Sequence, residues 1–213
     1  LKRLNRPRIV PRSSLPLLRP NLCTEAMSKK VLVPIADDSE EIETACITDT
    51  LVRCGASVVV ASVSGKLEVK MSRGLKIVAD VLIQDVKDKV AEFDAIVLPG
   101  GMPGATRLSE CAELTEMLKA QSGAQKVTAA MCASPAVVLA AHDMLPASAT
   151  CYPADKFKDI LGAKRKDDLV VKDGHIITSQ GPGTSILFAL EIAESLFGKE
   201  KADEVGKAML VAR

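Results

Sequence analysis

Short runs of Val, Ile, Leu and Ala alternate with longer amphipathic segments from residue 30 onwards. Such runs are typical of parallel strands buried on both faces, and the segments between them have helical spacing. We predict strands at residues 31–35, 58–61, 95–98 and 127–131. We predict helices at residues 40–53, 110–121, 135–142, 184–197 and 201–209. The alternation indicates an α/β fold with a mostly parallel sheet and helices on both faces.

Two segments break this alternation and predict antiparallel hairpins. Residues 63–78 contain Ser64-Gly65, at which we expect the first hairpin to turn. Asp173-Gly174 separates apolar runs at 169–171 and 175–178. A two-residue turn of this composition is a strong hairpin signal.

Cys132 lies where the fourth predicted strand meets a helix opened by Pro135. Ligands of such sheets bind beyond the carboxyl ends of the strands, where the loops after Ile35, Leu98 and Met131 would meet. A thiol close to a helix N-terminus is expected to have a lowered pKa and to react as the thiolate. The alternative is an inert cysteine of the core.

Gly100-Gly101 ends the neighbouring strand, and the small residue Ala133 follows Cys132. The backbone N–H groups of Gly101 and Ala133 would supply the two donors of an oxyanion hole. The alternative for the glycine pair is an ordinary turn. The pair does not match a phosphate-binding loop.

Three acids at the start of the first helix are candidate partners of the thiol: Glu40, Glu41 and Glu43. Ser39 is the predicted N-cap of this helix. Glu40 and Glu43 share one side of the helix while Glu41 points elsewhere, but the spacing does not say which side faces the cysteine. A solvated helix start would also explain these acids.

Neither histidine of the chain is a good candidate for a base that would deprotonate the Cys132 thiol. His142 lies ten residues beyond Cys132, about 15 Å along a helix. His175 begins a strand at the end opposite the expected site. A Cys-His pair is therefore disfavoured.

Composition excludes several classes of function. The chain has 213 residues, 47% apolar content and nearly balanced charge, and its five aromatic residues argue against a nucleic-acid stacking platform. No apolar run approaches the ~20 residues of a membrane span. None of the six cysteines forms a Cys-x-x-Cys pair and only two histidines occur, so no metal site and no cofactor are expected. Scattered thiols in a chain of this length indicate a reduced, cytoplasmic protein.

Residues 1–26 differ from the rest of the chain. They hold six Lys and Arg residues, one acid and four prolines. They could be an organellar transit peptide, a disordered basic tail, or sequence outside the natural protein, and the prolines break the amphipathic helix of a transit peptide. We interpret them as a tail outside the fold and residues 27–213 as one domain.

Four ordered motifs resemble the ThiJ/PfpI superfamily, and most closely its Parkinsonism-associated deglycase branch. They are Ala-Asp-Asp-Ser-Glu-Glu-Ile-Glu (36–43), Leu-Pro-Gly-Gly-Met-Pro-Gly-Ala (98–105), Ala-Ala-Met-Cys-Ala-Ser-Pro-Ala (129–136) and Thr-Ser-Gln-Gly-Pro-Gly-Thr (178–184). The resemblance covers residues 30 to 211. It implies a flavodoxin-like sandwich related to class I glutamine amidotransferases, and a homodimer.

The resemblance also implies roles for single residues. Cys132 would be the nucleophile, Glu43 its conserved partner, and Gly101 and Ala133 the oxyanion-hole amides. The remaining residues implied to line the pocket are Gly100, Arg73, Tyr152 and Pro182.

Two positions depart from the pattern of the relatives. Tyr152 stands where many relatives have a histidine, which weakens a peptidase interpretation. Met71 stands where animal relatives have a second redox-active cysteine.

The resemblance implies a glyoxalase or protein deglycase that acts on methylglyoxal and its early adducts on proteins, with a role in the oxidative-stress response. The alternative is a redox-sensing chaperone or regulatory protein that uses the same oxidisable cysteine and has protein partners. A cysteine peptidase is a third interpretation.

Overall fold

The computed structural model describes residues 28–212, which form one layered α/β unit. Its seven-stranded sheet contains β1 (Lys30–Ile35), β2 (Ser57–Ser62), β5 (Val81–Leu82), β6 (Ala95–Leu98), β7 (Val127–Met131), β8 (Val170–Asp173) and β9 (Ile176–Ser179). The strand order is β5-β2-β1-β6-β7-β9-β8, and every neighbouring pair is parallel except β8 and β9. A separate antiparallel hairpin is formed by β3 (Glu68–Lys70) and β4 (Lys76–Val78). The predicted fold class is confirmed.

Helices cover both faces of the sheet. They are α1 (Glu41–Arg53), α2 (Gly104–Glu110), α3 (Ala112–Gly123), α4 (Asp155–Leu161), α5 (Ser185–Phe197) and α6 (Lys199–Ala208), with short helical segments at Pro135–Leu139 and Ala140–His142. Side chains of a strand alternate between faces. Accordingly, Val31 and Val33 pack with α1, α5 and α6, whereas Leu32 packs with α2 and α3. Within the described residues, no helix has the length and apolar character needed to cross a bilayer.

The elements differ from the sequence predictions in several places. The first hairpin turns between Met71 and Leu75 rather than at Ser64-Gly65, because β3 begins only at Glu68. The second hairpin exists, but its two turn residues are Gly174 and His175.

Helix boundaries also differ. Helices α2 and α4 were not predicted, and both are only seven residues long. The N-cap of α1 is Glu40 rather than Ser39, because the Glu40 carboxylate accepts the N–H of Glu43 at 2.7 Å. The hydroxyl of Ser39 instead accepts the N–H of Ala36. The tail predicted at residues 1–26 lies outside the described residues.

Candidate active site

Cys132 lies in a sharp turn between β7 and the helical segment that begins at Pro135. Its backbone φ is +61°, a left-handed conformation that is uncommon for a side chain of this size. The N–H of Cys132 donates to the carbonyl of Ser179 at 3.0 Å, and its own carbonyl accepts the N–H of Tyr152 at 2.8 Å. The hydroxyl of Ser134 donates to the carbonyl of Pro99 at 2.6 Å. These bonds hold the thiol at the carboxyl end of the central strands, as the sequence predicts.

Glu43 is the acid that faces this thiol. Its side chain is completely buried, and its carboxyl group is hydrogen-bonded to Cys132. Oε2 accepts the N–H of Gly100 at 2.6 Å, while Oε1 has no hydrogen-bond partner. Glu40 caps the helix, and Glu41 accepts bonds from the Ser72 hydroxyl and the Arg73 N–H, so neither occupies this position.

Gly100 packs tightly against the Glu43 carboxyl group and the Cys132 thiol, and Gly101 packs against the backbone at Asp38. A Cβ atom on Gly100 would lie 2.5 Å from the Cβ of Cys132, and 3.0 Å from both its sulfur and Oε2 of Glu43. Gly101 has a φ of +93°, and a Cβ there would collide with the backbone at Asp38. The N–H groups of Gly101 and Ala133 both hydrogen-bond the sulfur of Cys132. Any larger residue at position 100 would therefore separate the carboxyl from the thiol.

The two ionisable groups hold their protons more tightly than usual. Burial raises the pKa of Glu43 from its usual value near 4.5 to about 7, against the hydrogen bonds from Gly100 and Cys132. Burial and the negative charge of Glu43 raise the pKa of Cys132 to about 12, and the amides of Gly101 and Ala133 lower it by less. The predicted fall of the thiol pKa is therefore wrong. Above about pH 7 the pair retains one proton, which the two groups share.

A cavity of about 500 Å³ opens beside the sulfur. It is lined by Glu40, Ser72, Arg73, Gly101, Met102, Cys132, Ala133, Tyr152, Ala154, Lys156, Phe157 and Pro182. The predicted pocket residues Arg73, Tyr152 and Pro182 thus line one cavity, whereas Gly100 does not line it and instead packs against Cys132. Tyr152 is 44% exposed, and its ring lies over Gly181.

Sequence reasoning missed the contribution of α4 to this cavity. Lys156 and Phe157 line it, and both belong to this unpredicted helix. The signal was present but short: Phe157, Ile160 and Leu161 have helical spacing over only two turns.

Neither histidine of the chain lines the cavity. Nε2 of His142 is bonded to the backbone of Ser109 at 2.9 Å, and Nε2 of His175 is bonded to the hydroxyl of Ser122 at 3.2 Å. Between residues 28 and 212, no cluster of three or more His, Cys, Asp and Glu side chains could hold a metal ion.

A cysteine on a strand-to-helix turn, beside a buried carboxyl group and two backbone donors, has the geometry of the nucleophile elbows found in other α/β proteins. The model of the DJ-1/PfpI family matches residues 29–195, and the chain belongs to that family. This confirms the superfamily resemblance inferred from the four motifs.

Named relatives cover most of the chain. Protein DJ-1 homologs A and B of Arabidopsis thaliana are 43% and 45% identical to it, over 93% and 85% of the chain. The chain spans 54% and 41% of the lengths of these two proteins, or about half. The glutathione-independent glyoxalase DJR-1.2 of Caenorhabditis elegans is 42% identical over 87% of the chain and 97% of its own length.

Solved structures share the fold. Oxidized Toxoplasma gondii DJ-1 superposes with a TM-score of 0.84 at 47% identity, covering 87% of this chain and all of that one. Drosophila melanogaster DJ-1beta gives a TM-score of 0.82 at 42% identity, covering 88% of this chain and all of that one.

Proposed function

We propose that the chain is a cofactor-free glyoxalase and protein deglycase, acting on 2-oxoaldehydes such as methylglyoxal and on their early adducts with proteins. The observation that carries this proposal is the buried Glu43 carboxyl group bonded to the Cys132 sulfur, with the amides of Gly101 and Ala133 on the same atom. The similarity to a protein named glutathione-independent glyoxalase supports it.

The reaction begins with addition of sulfur to the aldehyde carbon. The thiol proton passes to ionised Glu43 as the carbon–sulfur bond forms. The product is a hemithioacetal whose alkoxide accepts the N–H groups of Gly101 and Ala133. The one-proton form of the pair is the reactive form, because its carboxyl–thiol bond allows this transfer.

Proton transfer and hydrolysis complete the cycle. Glu43 first gives the thiol proton to the alkoxide and becomes a carboxylate again. It then carries a proton from the former aldehyde carbon to the neighbouring carbonyl carbon, through an enediol, and a thioester of lactate forms on Cys132. Water cleaves the thioester, so the net reaction adds one water molecule to methylglyoxal. In an early adduct the former aldehyde carbon carries a protein amine or thiol. The sulfur of Cys132 displaces this group as its bond to carbon breaks, and the group leaves with the thiol proton and is regenerated.

Lactate formation from methylglyoxal tests the proposal. Cys132→Ser and Glu43→Gln should each lower turnover at least about 100-fold, because each removes a participant in proton transfer. Cys46→Ser, at a half-buried cysteine outside the cavity, is the matched control and should keep wild-type turnover. Full activity of Cys132→Ser would refute the mechanism.

A second candidate function is redox sensing, in a chaperone or regulatory protein of the oxidative-stress response. The amides that bond the sulfur would also stabilise a sulfinate, and protonated Glu43 would donate to it. The similarity to an oxidized DJ-1 of Toxoplasma gondii favours this candidate. After mild treatment with hydrogen peroxide, mass spectrometry should find two added oxygen atoms on the Cys132 peptide and none in Cys132→Ser. Oxidation elsewhere instead would contradict it.

We also propose a homodimer. Large apolar side chains are exposed on the β3–β4 hairpin and at the start of α1, where Glu41 binds the hairpin turn. They are Ile42, Leu67, Leu75 and Val78. An apolar patch of this kind favours burial against a second copy.

Sedimentation equilibrium tests the dimer. Val78 is 70% exposed, and Val78→Asp should shift the wild-type dimer towards monomer because burying a carboxylate in an apolar interface is costly. Ile160→Asp is the control, since Ile160 is 52% exposed on α4. A monomeric wild type would refute the proposal.

A further inference from the structure

The cavity at Cys132 is larger than a three-carbon dicarbonyl requires. Its volume of about 500 Å³ falls within the range of about 300–1,000 Å³ that is typical of sites for much larger ligands. Two regions of its lining belong to elements that carry none of the reacting groups. One is the hairpin turn at Ser72 and Arg73, and the other is α4 at Lys156 and Phe157.

Each of these regions contributes a cation. Within residues 28–212, neither Arg73 nor Lys156 forms an ion pair. The Arg73 guanidinium donates to the carbonyl of Ser72 at 3.3 Å, and Nζ of Lys156 lies 4.8 Å from the ring centroid of Phe157. A carbonyl dipole and an aromatic ring orient a cation without neutralising its charge. Both side chains are therefore available to an anion in the cavity.

The acids nearby have other partners. Glu41 accepts bonds from the Ser72 hydroxyl and the backbone N–H of Arg73. Glu40, which lines the cavity, is itself buried and accepts the N–H of Glu43 at 2.7 Å. Neither carboxylate forms an ion pair with the two cationic side chains.

We infer that the cavity selects 2-oxoaldehydes that carry an anionic group, a carboxylate or a phosphate, and that Arg73 and Lys156 are the residues that bind this group. The inference rests on the proposed function and names its substrate class. With 4,5-dioxopentanoate, water adds and 2-hydroxyglutarate forms. The aldehyde carbon is oxidised to a carboxylate, the neighbouring ketone carbon is reduced to an alcohol, and the distal carboxylate is unchanged.

Matched substrates separate charge from size. The first pair is 4,5-dioxopentanoate and its methyl ester, and the second is 3-hydroxy-2-oxopropanal phosphate and its neutral parent. The wild type should show at least a tenfold higher kcat/KM for the charged member of at least one pair. A preference confined to one pair identifies the group as carboxylate or phosphate.

Charge-removing variants identify the residues. Arg73→Gln and Lys156→Gln should each lower kcat/KM for the preferred anion about fivefold more than for the neutral partner, the effect of one partly exposed ion pair. Lys119→Gln, an exposed lysine of α3 outside the cavity, is the matched control and should change neither. Added salt should reduce the wild-type preference, because ions screen exposed charges.

Several results would overturn the inference. Equal turnover of charged and neutral partners would do so, as would variants that lose both activities together. If the wild type converted no 2-oxoaldehyde at all, including methylglyoxal, the proposed function would fail separately. Calorimetric titration with 2-hydroxyglutarate would then test the charge selectivity by itself. The selectivity would be refuted if Lys156→Gln bound 2-hydroxyglutarate as tightly as the wild type does.

Discussion

Replacing Glu43 by Gln should stabilise the fold at neutral and alkaline pH while removing activity. The glutamine oxygen can accept the N–H of Gly100, as Oε2 does in the wild type. The amide nitrogen would occupy the place of Oε1, which has no partner. The substitution therefore keeps the packing and removes a buried negative charge, which is costly in a site of low dielectric constant.

The magnitude follows from the pKa of the carboxyl group. Burial raises the Glu43 pKa from about 4.5 to about 7, so the folded chain binds this proton more tightly than the unfolded chain does. Between these pH values stability falls as pH rises, because the native state holds more protons. Each pH unit of difference is worth about 1.4 kcal/mol, so ionised Glu43 costs about 3 kcal/mol above pH 7.

Urea denaturation at pH 4.5 and pH 8 measures this effect. The free energies of unfolding of wild type and Glu43→Gln should be similar at pH 4.5, and the variant should be more stable by about 3 kcal/mol at pH 8. Thermal unfolding should show the same difference as a rise in Tm of about 9 °C at pH 8.

Glu41→Gln is the control with the opposite sign. Glu41 is the neighbouring buried acid, and against the effect of burial the hydrogen bonds from Ser72 and Arg73 lower its pKa. A group with a lowered pKa contributes stability above the unfolded value near 4.5 and loses it as pH falls, so this variant should be less stable at pH 8. If Glu43→Gln were no more stable than the wild type at pH 8, the conclusion that ionised Glu43 lowers the stability of the fold would be refuted.

Three further predictions follow from the same contacts. Gly100→Ala should abolish turnover, since its Cβ would lie 2.5 Å from that of Cys132, whereas Gly123→Ala adds a Cβ with no atom within 4 Å and should be active. In urea denaturation, the free energy of unfolding of Ser134→Ala should be about 1–3 kcal/mol lower than that of the wild type, because the buried carbonyl of Pro99 loses its partner. The free energy of unfolding of Ser195→Ala should fall by less, because the Ser195 hydroxyl is bonded to a carbonyl of its own helix. Methylglyoxal turnover should rise with pH around an apparent pKa of about 7, as the pair loses its first proton, and a flat profile would contradict the one-proton mechanism.

The central sheet could be predicted because its strands are continuous apolar runs, and β1, β6 and β7 are found within a residue of their predicted bounds. Each of these strands is followed by a loop that reaches the site, so Cys132 and the glycine pair could be located from the sequence. Shorter elements were missed because tertiary contacts define them. The turn at Met71 is an example, since its neighbour Ser72 is bonded to Glu41 and to the carbonyl of Ser39.

The electrostatics of the site could not be read from residue order. A helix start next to Cys132 predicted a lowered thiol pKa, but the prediction contained no measure of burial or of the distance to Glu43. In the structure both effects raise the pKa and outweigh the two amides. The choice among the three acids of α1 likewise required the folded packing, because Glu43 alone is completely buried.

The left-handed backbone at Cys132 has a consequence for how this position would respond to selection for folding alone. Conformations of this kind cost about 1–3 kcal/mol for a residue with a side chain, and glycine adopts them without that cost. Selection for thermal robustness alone would therefore favour glycine at position 132. In a laboratory evolution experiment that selects for folding and not for activity, glycine should therefore accumulate at position 132. The stability gained by this replacement would measure the conformational energy that is needed to hold the sulfur atom in its place.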